Sequence, residues 1–417
     1  MYANTAIWTI SGLTTAGVIL RPLAWPEWVW AVAGALLLLA AQLITPSTAL
    51  AGIKQGADVY LFLFGMMLLS EVARVEGLFD WLAAWATQQA NGSARRLFLL
   101  TYVVGTVVTI FLSNDATAVV LTPAVAAAVR TARVGDPVPF LLICAFIANA
   151  ASFVLPISNP ANLVIYGQSI PPLLDWLPRY LLPSIVSIVA TYFLLAWSQR
   201  KRLNQKVSSD ISMPPLKASA KLAAAGIALT ALVLMGASTF DMQLGAPTAV
   251  AGAITTLLVL GVERKSPWPI VKDISWGVLP LVAGLFILVG ALKQTGLLGS
   301  ISDLLHQLAG QSVIAAAWGA ALAVAVGSNL ANNLPVGLVA GTAVQAAGVS
   351  DHVAKAVLIG VDIGPNLSIT GSLATILWLT ALRREGHDIS GAMFLKIGVV
   401  VMLPTLLLAL AAAEFSG

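Results

Sequence analysis

Apolar runs near 20 residues long recur along this chain, separated by short polar or basic stretches. At 1.5 Å per residue such a run crosses ~30 Å of hydrocarbon as a helix, whereas barrel strands need alternating segments of about 10 residues. The pattern predicts spans at Ala6–Leu20, Glu27–Ile44 and about Asp58–Arg74, then a short amphipathic helix at Leu78–Gln89 lying at the interface. Leu97–Leu112 and Ala116–Val129 are apolar on either side of Ser113, Asn114 and Asp115. Arg95, Arg96, Arg130 and Arg133 flank this segment at both ends, so it reads as a re-entrant hairpin. Pro139–Gly167 is long but interrupted at Leu155–Asn162, where two prolines cannot continue a helix and leave carbonyls free. Tyr180–Trp197 closes the first half.

The second half repeats the plan. Spans follow at about Lys221–Ala237, Ala246–Val262 and Trp276–Leu292, then an interfacial helix at Ser300–Leu308 and a second hairpin through Asn329–Asn333. A span from Val353 to Leu382 is broken at Asp362–Asn366, and Met393–Ala412 comes last. An offset of 219 carries Gly65, Gly77 and Asn114 onto Gly284, Gly296 and Asn333. A polar break repeated in both halves of an apolar chain points to a paired binding site.

The expected fold is therefore an all-α polytopic membrane protein of two repeats, each with about five transmembrane helices, one re-entrant hairpin and a broken helix at the midplane. The boundaries read as 1–198 for the first repeat, 199–219 for a cytoplasmic linker and 220–417 for the second. An odd number of spans per half inverts the second repeat relative to the first. Charge agrees: Arg21, Arg74, residues 200–206, 263–265 and 383–384 all fall on one face, which basic loops mark as cytoplasmic. Both chain ends then lie outside, and the hairpins enter from opposite sides. Trp25, Trp28 and Trp30 fit an interfacial belt.

Composition narrows the class. Of 417 residues, 59% are hydrophobic and 10% charged, against about 25% charged in soluble domains, so the chain cannot clothe a water-facing surface. The net charge of +4 sits in a few loops and reflects orientation, not nucleic-acid binding. Cys144 is the one cysteine, which excludes an internal disulfide and a multi-thiolate metal site; it reads as a small core residue. No basic residue precedes Ala6–Leu20, so that run reads as a retained span and not a cleaved signal. No P-loop motif is present, and no nucleophile–base or metal-ligand spacing falls inside the spans, which argues against an enzyme and leaves no cofactor implied. Broken helices in inverted halves favour alternating access over a passive channel.

Four motifs carry a family resemblance: Phe64–Met67, Ser113–Pro123, Asn332–Pro335 and the long stretch Val361–Trp378. Through them the chain resembles the arsenite efflux permeases of the ion transporter superfamily over essentially its whole length. More distant sodium-coupled carboxylate transporters carry Ser-Asn-Thr at both hairpin tips; here Asp115 stands at the Thr position of the first tip and Asn333-Leu334 occupies the second. The resemblance implies a scaffold domain, a mobile transport domain and a substrate held by hairpin tips and broken helices in the cytoplasmic (inner) membrane. It also leaves a homodimer and a soluble ATPase subunit open as partners, beside protons and the lipid bilayer.

Arsenious acid is a small neutral trihydroxyl solute, so its site should resemble a polyol site built of short donors and acceptors. Asn114, Thr117, Ser158, Asn159, Asn162, Asn329, Asn333, Asn366, Ser368, Thr370 and Ser372 supply that set. The competing role for the same residues is to cap hairpin tips and satisfy interrupted helix ends. Asp115 and Asp362 differ: a carboxylate at membrane depth costs ~2.5–3.5 kcal/mol on insertion scales and marks a functional site. Burial disfavours the charged form, so both are candidates for proton coupling. Against that stands a structural carboxylate accepting amide bonds. Glu71 and Arg74, three apart, read as a helix-surface ion pair; Asp58 and Lys54 as interfacial; His306, His352 and His387 as solvated near span ends. The expected activity is export of arsenite, and of antimonite, driven by inward proton movement. An anion or carboxylate carrier and a sodium/proton antiporter are the alternatives, the first opposed by the negative charge of Asp115.

Overall fold

Nearly every apolar run becomes a helix, because in hydrocarbon each backbone N–H and C=O must find its partner within its own segment. The computed structural model describes residues 2–167, 170–208, 213–240 and 242–416. The first half runs α1 (Tyr2–Leu20), α2 (Glu27–Ala40), α3 (Pro46–Gln55), α4 (Ala57–Val75) and α5 (Leu78–Gln89). It continues with α6 (Ala94–Phe111), α7 (Asn114–Ala116), α8 (Thr122–Thr131), α9 (Val138–Ala150), α10 (Pro160–Tyr166) and α11 (Leu173–Ser198). The second half runs α12 (Ala218–Thr239), α13 (Gly245–Glu263), α14 (Trp268–Asp273), α15 (Val278–Gln294) and α16 (Leu297–Gln311). It ends with α17 (Val313–Ala331), α18 (Asn333–Ala347), α19 (Asp351–Ile363), α20 (Leu373–Arg384) and α21 (Gly391–Ala413). Among the described residues seven helices are long and apolar enough to cross a membrane. Two bent pairs, α3–α4 at 47° and α15–α16 at 75°, pass the same test together. Large apolar side chains such as Phe193, Leu229, Leu257 and Leu407 face outward, where only lipid would cover them.

The repeat is visible in its glycines. Gly77 and Gly296 both stand at φ +80°, where each precedes the first turn of α5 and α16. Side chains rarely adopt that left-handed conformation, so the shared turn requires glycine twice. A Cβ at Gly65 would lie 2.3 Å from the Thr248 carbonyl oxygen, and one at Gly284 would lie 2.8 Å from that of Ala31. Accordingly α4 packs on α13 and α15 on α2, the third span of each half against the second span of the other. Without a hydrophobic force between helices in lipid, such close backbone approach supplies the van der Waals gain.

Basic loops gather at one face. Arg95 donates to Asn204 Oδ1 at 2.8 Å, Arg130 pairs with Glu385 at 2.8 Å, and Lys265 with Glu76 at 2.8 Å. Ser208 N donates to Ala132 O at 2.9 Å and Val207 N to Gly92 O at 3.3 Å. Both outer ends of the α6–α8 hairpin thus meet one loop. At the opposite face Gly245 N donates to Asp58 Oδ1 at 2.7 Å, Arg179 pairs with Asp351 at 2.9 Å, and Gln345 donates to Tyr166 O at 3.0 Å.

The expected order of spans and breaks holds, with differences in extent. The run after the second span is two helices, α3 and α4, since Thr45 caps a separate turn at Pro46. The first break lies between Ala150 and Pro160, and the second extends to Ser372. Helix α11 starts at Leu173 and carries Pro178 and Pro183 inside. His352, expected to be solvated, faces Glu414 at 3.1 Å. The Glu71–Arg74 ion pair forms, and Arg74 also reaches Asp273 at 3.1 Å.

Candidate functional site

Two chain reversals build the site. Helix α6 ends at Phe111, and Ser113 (φ 153°) turns the backbone so that Asn114 opens the returning arm. The Ser113 hydroxyl accepts from Ala116 N at 3.3 Å, and the Thr109 and Thr117 hydroxyls bond at 2.8 Å between the arms. Residues 117–121 form a π-helical turn, a widening common at functional sites. The second tip is built alike: Asn332 (φ 68°) turns the chain, its side chain accepts from Leu334 N at 3.3 Å, and Asn333 opens α18. The asparagines related by 219 therefore hold the same position in their hairpins.

The first break contributes Asn159. Its side-chain oxygen caps α10 by accepting from Ala161 N at 3.0 Å, while its amide donates to Asp362 Oδ1 on α19. Both residues are buried.

Asn114, Asp115, Asn159 and Asn333 line one pocket of about 290 Å³, closed by Leu63, Val278 and Leu373 among others. It shares Leu63, Asp115, Pro160 and Val278 with a wider pocket of about 670 Å³ that runs past Met66 and Ser70 to Glu71 and Asp273. That end lies beside Arg74, at the basic face. Among the described residues, neither pocket is lined by lysine, arginine or histidine. The buried Asn114 Oδ1 has no hydrogen-bond partner among the described residues. An unmet buried acceptor costs about 1–3 kcal/mol, so this atom is poised for a donor from a bound solute.

The remaining predicted residues serve the backbone or form a second knot. Thr117 is tied to Thr109, and Ser158 bridges Leu155 N (3.3 Å) and Ile110 O (2.9 Å). Asn162 donates to Ser152 O at 2.8 Å, Asn366 to Phe146 O at 2.9 Å, and Ser372 caps α20 through Thr375 N at 3.1 Å. Asn329 donates to Gly364 O at 2.9 Å and accepts from Ser368 at 2.7 Å, while Thr370 donates to the Asn329 carbonyl at 3.1 Å. That knot closes the second break against α17, apart from the pocket. Asn149 was not foreseen: it donates to Asn366 at 3.0 Å and to Thr375 at 3.3 Å, joining the two breaks. It sits in an unbroken apolar run, and a lone asparagine there was its only signal. Asp273 was also missed, at the end of a short helix outside any span.

Comparison with known proteins decides the family. The sequence model described as "Citrate transporter" matches residues 15–361. The chain belongs to the citrate transporter family. Within reach of this family member are proteins named arsenical pump membrane protein: one from Yersinia enterocolitica is 28% identical over 361 residues, covering 83% of each chain. One from Escherichia coli strain K12 is 27% identical over 361 residues, again 83% of each. The fold is similar to that of the Alcanivorax borkumensis YdaH transporter (TM-score 0.56, 14% identity, 88% of this chain and 86% of that one). It is also similar to Neisseria gonorrhoeae MtrF (TM-score 0.55, 12% identity, 88% and 82%). This citrate transporter family member is thus a multi-pass membrane transporter.

Proposed function

We propose that this transporter exports arsenite, and antimonite with it, across the cytoplasmic membrane in exchange for protons, by alternating access. The observation that carries this reading is the pocket wall: three amides, one carboxylate and no cation. A trihydroxyl solute both donates and accepts, as amides do, and leaves without the cost of separating charges. The similarity to arsenical pump membrane proteins supports the same substrate. Citrate, the substrate in the family description, would bring several negative charges against Asp115 where the pocket narrows, while the nearest cation, Arg74, is already engaged by Glu71 and Asp273 at the far end.

Residues 1–198 and 220–417 act as two inverted repeats about a cytoplasmic linker at 199–219. The two helical hairpins re-enter the membrane from opposite sides, and substrate enters from the basic face through the wider pocket. Coupling runs through Asn159, which lines the pocket and bonds Asp362. Bonds to a charged acceptor contribute ~1.5–3 kcal/mol and neutral ones ~0.5–1.5. Protonation of Asp362 therefore loosens Asn159 and changes what it offers the solute. Asp115, in the pocket itself, exchanges the proton that substrate displaces. Linked in this way, proton and substrate occupy the site by turns, which is antiport.

Calorimetric titration of the purified protein with arsenite tests the substrate assignment. Binding should weaken in Asn114→Ala and in Asn333→Ala by about tenfold each, the loss of one hydrogen bond. Citrate should give no heat. Citrate binding with arsenite silent would overturn the assignment.

A further inference from the structure

An apolar groove of about 1120 Å³ runs between α12 and α13 on the outer surface. Leu222, Ala225, Leu229, Val250, Ile254 and Leu258 line it, and the last four are exposed, so lipid is the solvent they meet. The two helices touch along its floor, where a Cβ at Gly226 would lie 2.2 Å from Thr255 Cγ2. The Thr230 hydroxyl turns back to Gly226 O at 2.8 Å and leaves that wall without a free donor. From Ala246 to Leu258 the α13 wall is ~18 Å long, close to the ~15 Å of hydrocarbon in one leaflet. Charge is confined to one end. No lysine or arginine occurs between residues 222 and 263, whereas Lys217, Lys221, Arg264 and Lys265 stand where α12 begins and α13 ends. Lys221 lies one turn before Ala225 on the same helix face. The acids of this end, Glu76 and Glu263, both turn to Lys265, at 2.8 and 3.7 Å. Lys217, Lys221 and Arg264 are exposed and form no ion pair among the described residues. An exposed Trp268, just beyond Arg264, marks the headgroup depth.

We infer that this groove holds an anionic phospholipid of the leaflet at the basic face, with its phosphate among Lys217, Lys221 and Arg264 and one acyl chain along α12 and α13. A cationic mouth on an apolar track fits both parts of such a molecule at once. A zwitterionic lipid would bring a cation of its own to the same three and lose most of that attraction. A second copy docked groove to groove would set the three cations against their counterparts at the same face of the membrane. The site also lies behind the substrate pocket. A Cβ at Gly252 on α13 would lie 2.5 Å from Gly65 O on α4, and α4 carries Leu63 and Met66 in the pocket wall. The lipid therefore rests on the outer side of the helix that supports α4.

The test uses the full-length protein in a neutral detergent, with native mass spectrometry counting bound lipid and the unfolding midpoint read alongside. The probes are dioleoyl phosphatidylglycerol and dioleoyl phosphatidylcholine. The first should stay bound and raise the midpoint, and the second should bind about tenfold more weakly or less. One cation near an anionic lipid is worth about fivefold in affinity, so changing Lys217, Lys221 and Arg264 together to Gln should weaken phosphatidylglycerol binding about a hundredfold. Ala225→Trp, which fills the groove from an exposed position, should abolish retention with every charge in place. Both variants should keep the parent's midpoint in lipid-free detergent, which separates lost binding from lost fold. Equal retention of the two lipids by the parent would overturn the site. So would an equal loss when Arg200, Lys201 and Lys206 of the linker are changed to Gln instead, since that is attraction to a basic surface and not to a groove. A dimer free of lipid, broken by Ala225→Trp, would assign the groove to a second copy and overturn the proposal as well.

Discussion

The bond between Asn159 and Asp362 is where the pocket meets the second carboxylate, and removing it has a size that can be worked out. Asn159 performs two tasks: its oxygen caps α10 and its amide satisfies Asp362. Losing a cap costs about 1 kcal/mol. At a pH high enough to ionise Asp362, losing a hydrogen bond to this charged acceptor costs about 1.5–3 kcal/mol, and with both residues buried no solvent replaces it. Asn159→Ala should therefore destabilise the protein by ~2.5–4 kcal/mol. Asn159→Ser restores a capping oxygen and should recover about 1 kcal/mol of that, without recovering the bond. A double-mutant cycle with Asp362→Ala isolates the shared term, which should be about 1.5–3 kcal/mol. The measurement is SDS-driven unfolding in mixed micelles, followed by tryptophan fluorescence. A coupling energy below ~0.5 kcal/mol, the level of independent sites, would refute a shared bond and with it the link between pocket and Asp362.

Asp115→Asn keeps shape and hydrogen bonding but cannot exchange a proton; it should lose gradient-driven uptake into inverted vesicles and keep arsenite–arsenite exchange. An Asn variant as responsive to the gradient as the parent would transfer that role to Asp362. Burial pushes the Glu76 carboxyl up, but the Lys265 ammonium 2.8 Å away outweighs it and holds it below its ordinary 4.5. A lowered folded value means stability that is present above that ordinary value and lost as pH falls through the folded one. Glu76→Gln should flatten this acid limb of the unfolding midpoint, and an unchanged limb would contradict the ion pair. In a Cys144→Ser background, Gln243→Cys should react with an impermeant maleimide on intact cells and Lys201→Cys should not; the reverse would overturn the cytoplasmic placement of the basic face.

The helices and their repeated order were legible because membrane spans announce themselves by length and apolarity. The 219 register worked because glycine at +80° is demanded by backbone geometry in both halves, and because each hairpin turns at the residue just before its asparagine. Other features needed three dimensions. Asn159 and Asn162 stand three apart at the end of the first break and the start of α10, yet the first faces the pocket and the second turns back to Ser152 O. Nothing in residue type separates those fates; the φ/ψ of the break does. The packing of α4 on α13 joins residues far apart in sequence, and glycines such as Gly65, Gly245 and Gly252 are its main trace in the sequence. Helix α3 was readable in principle, since Thr45 before Pro46 is a capping signal, but it hid inside a longer apolar context.

The measurement that bears most directly on a proton-coupled arsenite exporter is arsenite flux in liposomes holding the purified protein, under an imposed pH gradient or an imposed sodium gradient. Arsenite should move against its own gradient toward the acidic side, acidify the opposite compartment as it moves, and ignore sodium. Flux that follows sodium and not protons, or flux of citrate in place of arsenite, would contradict it.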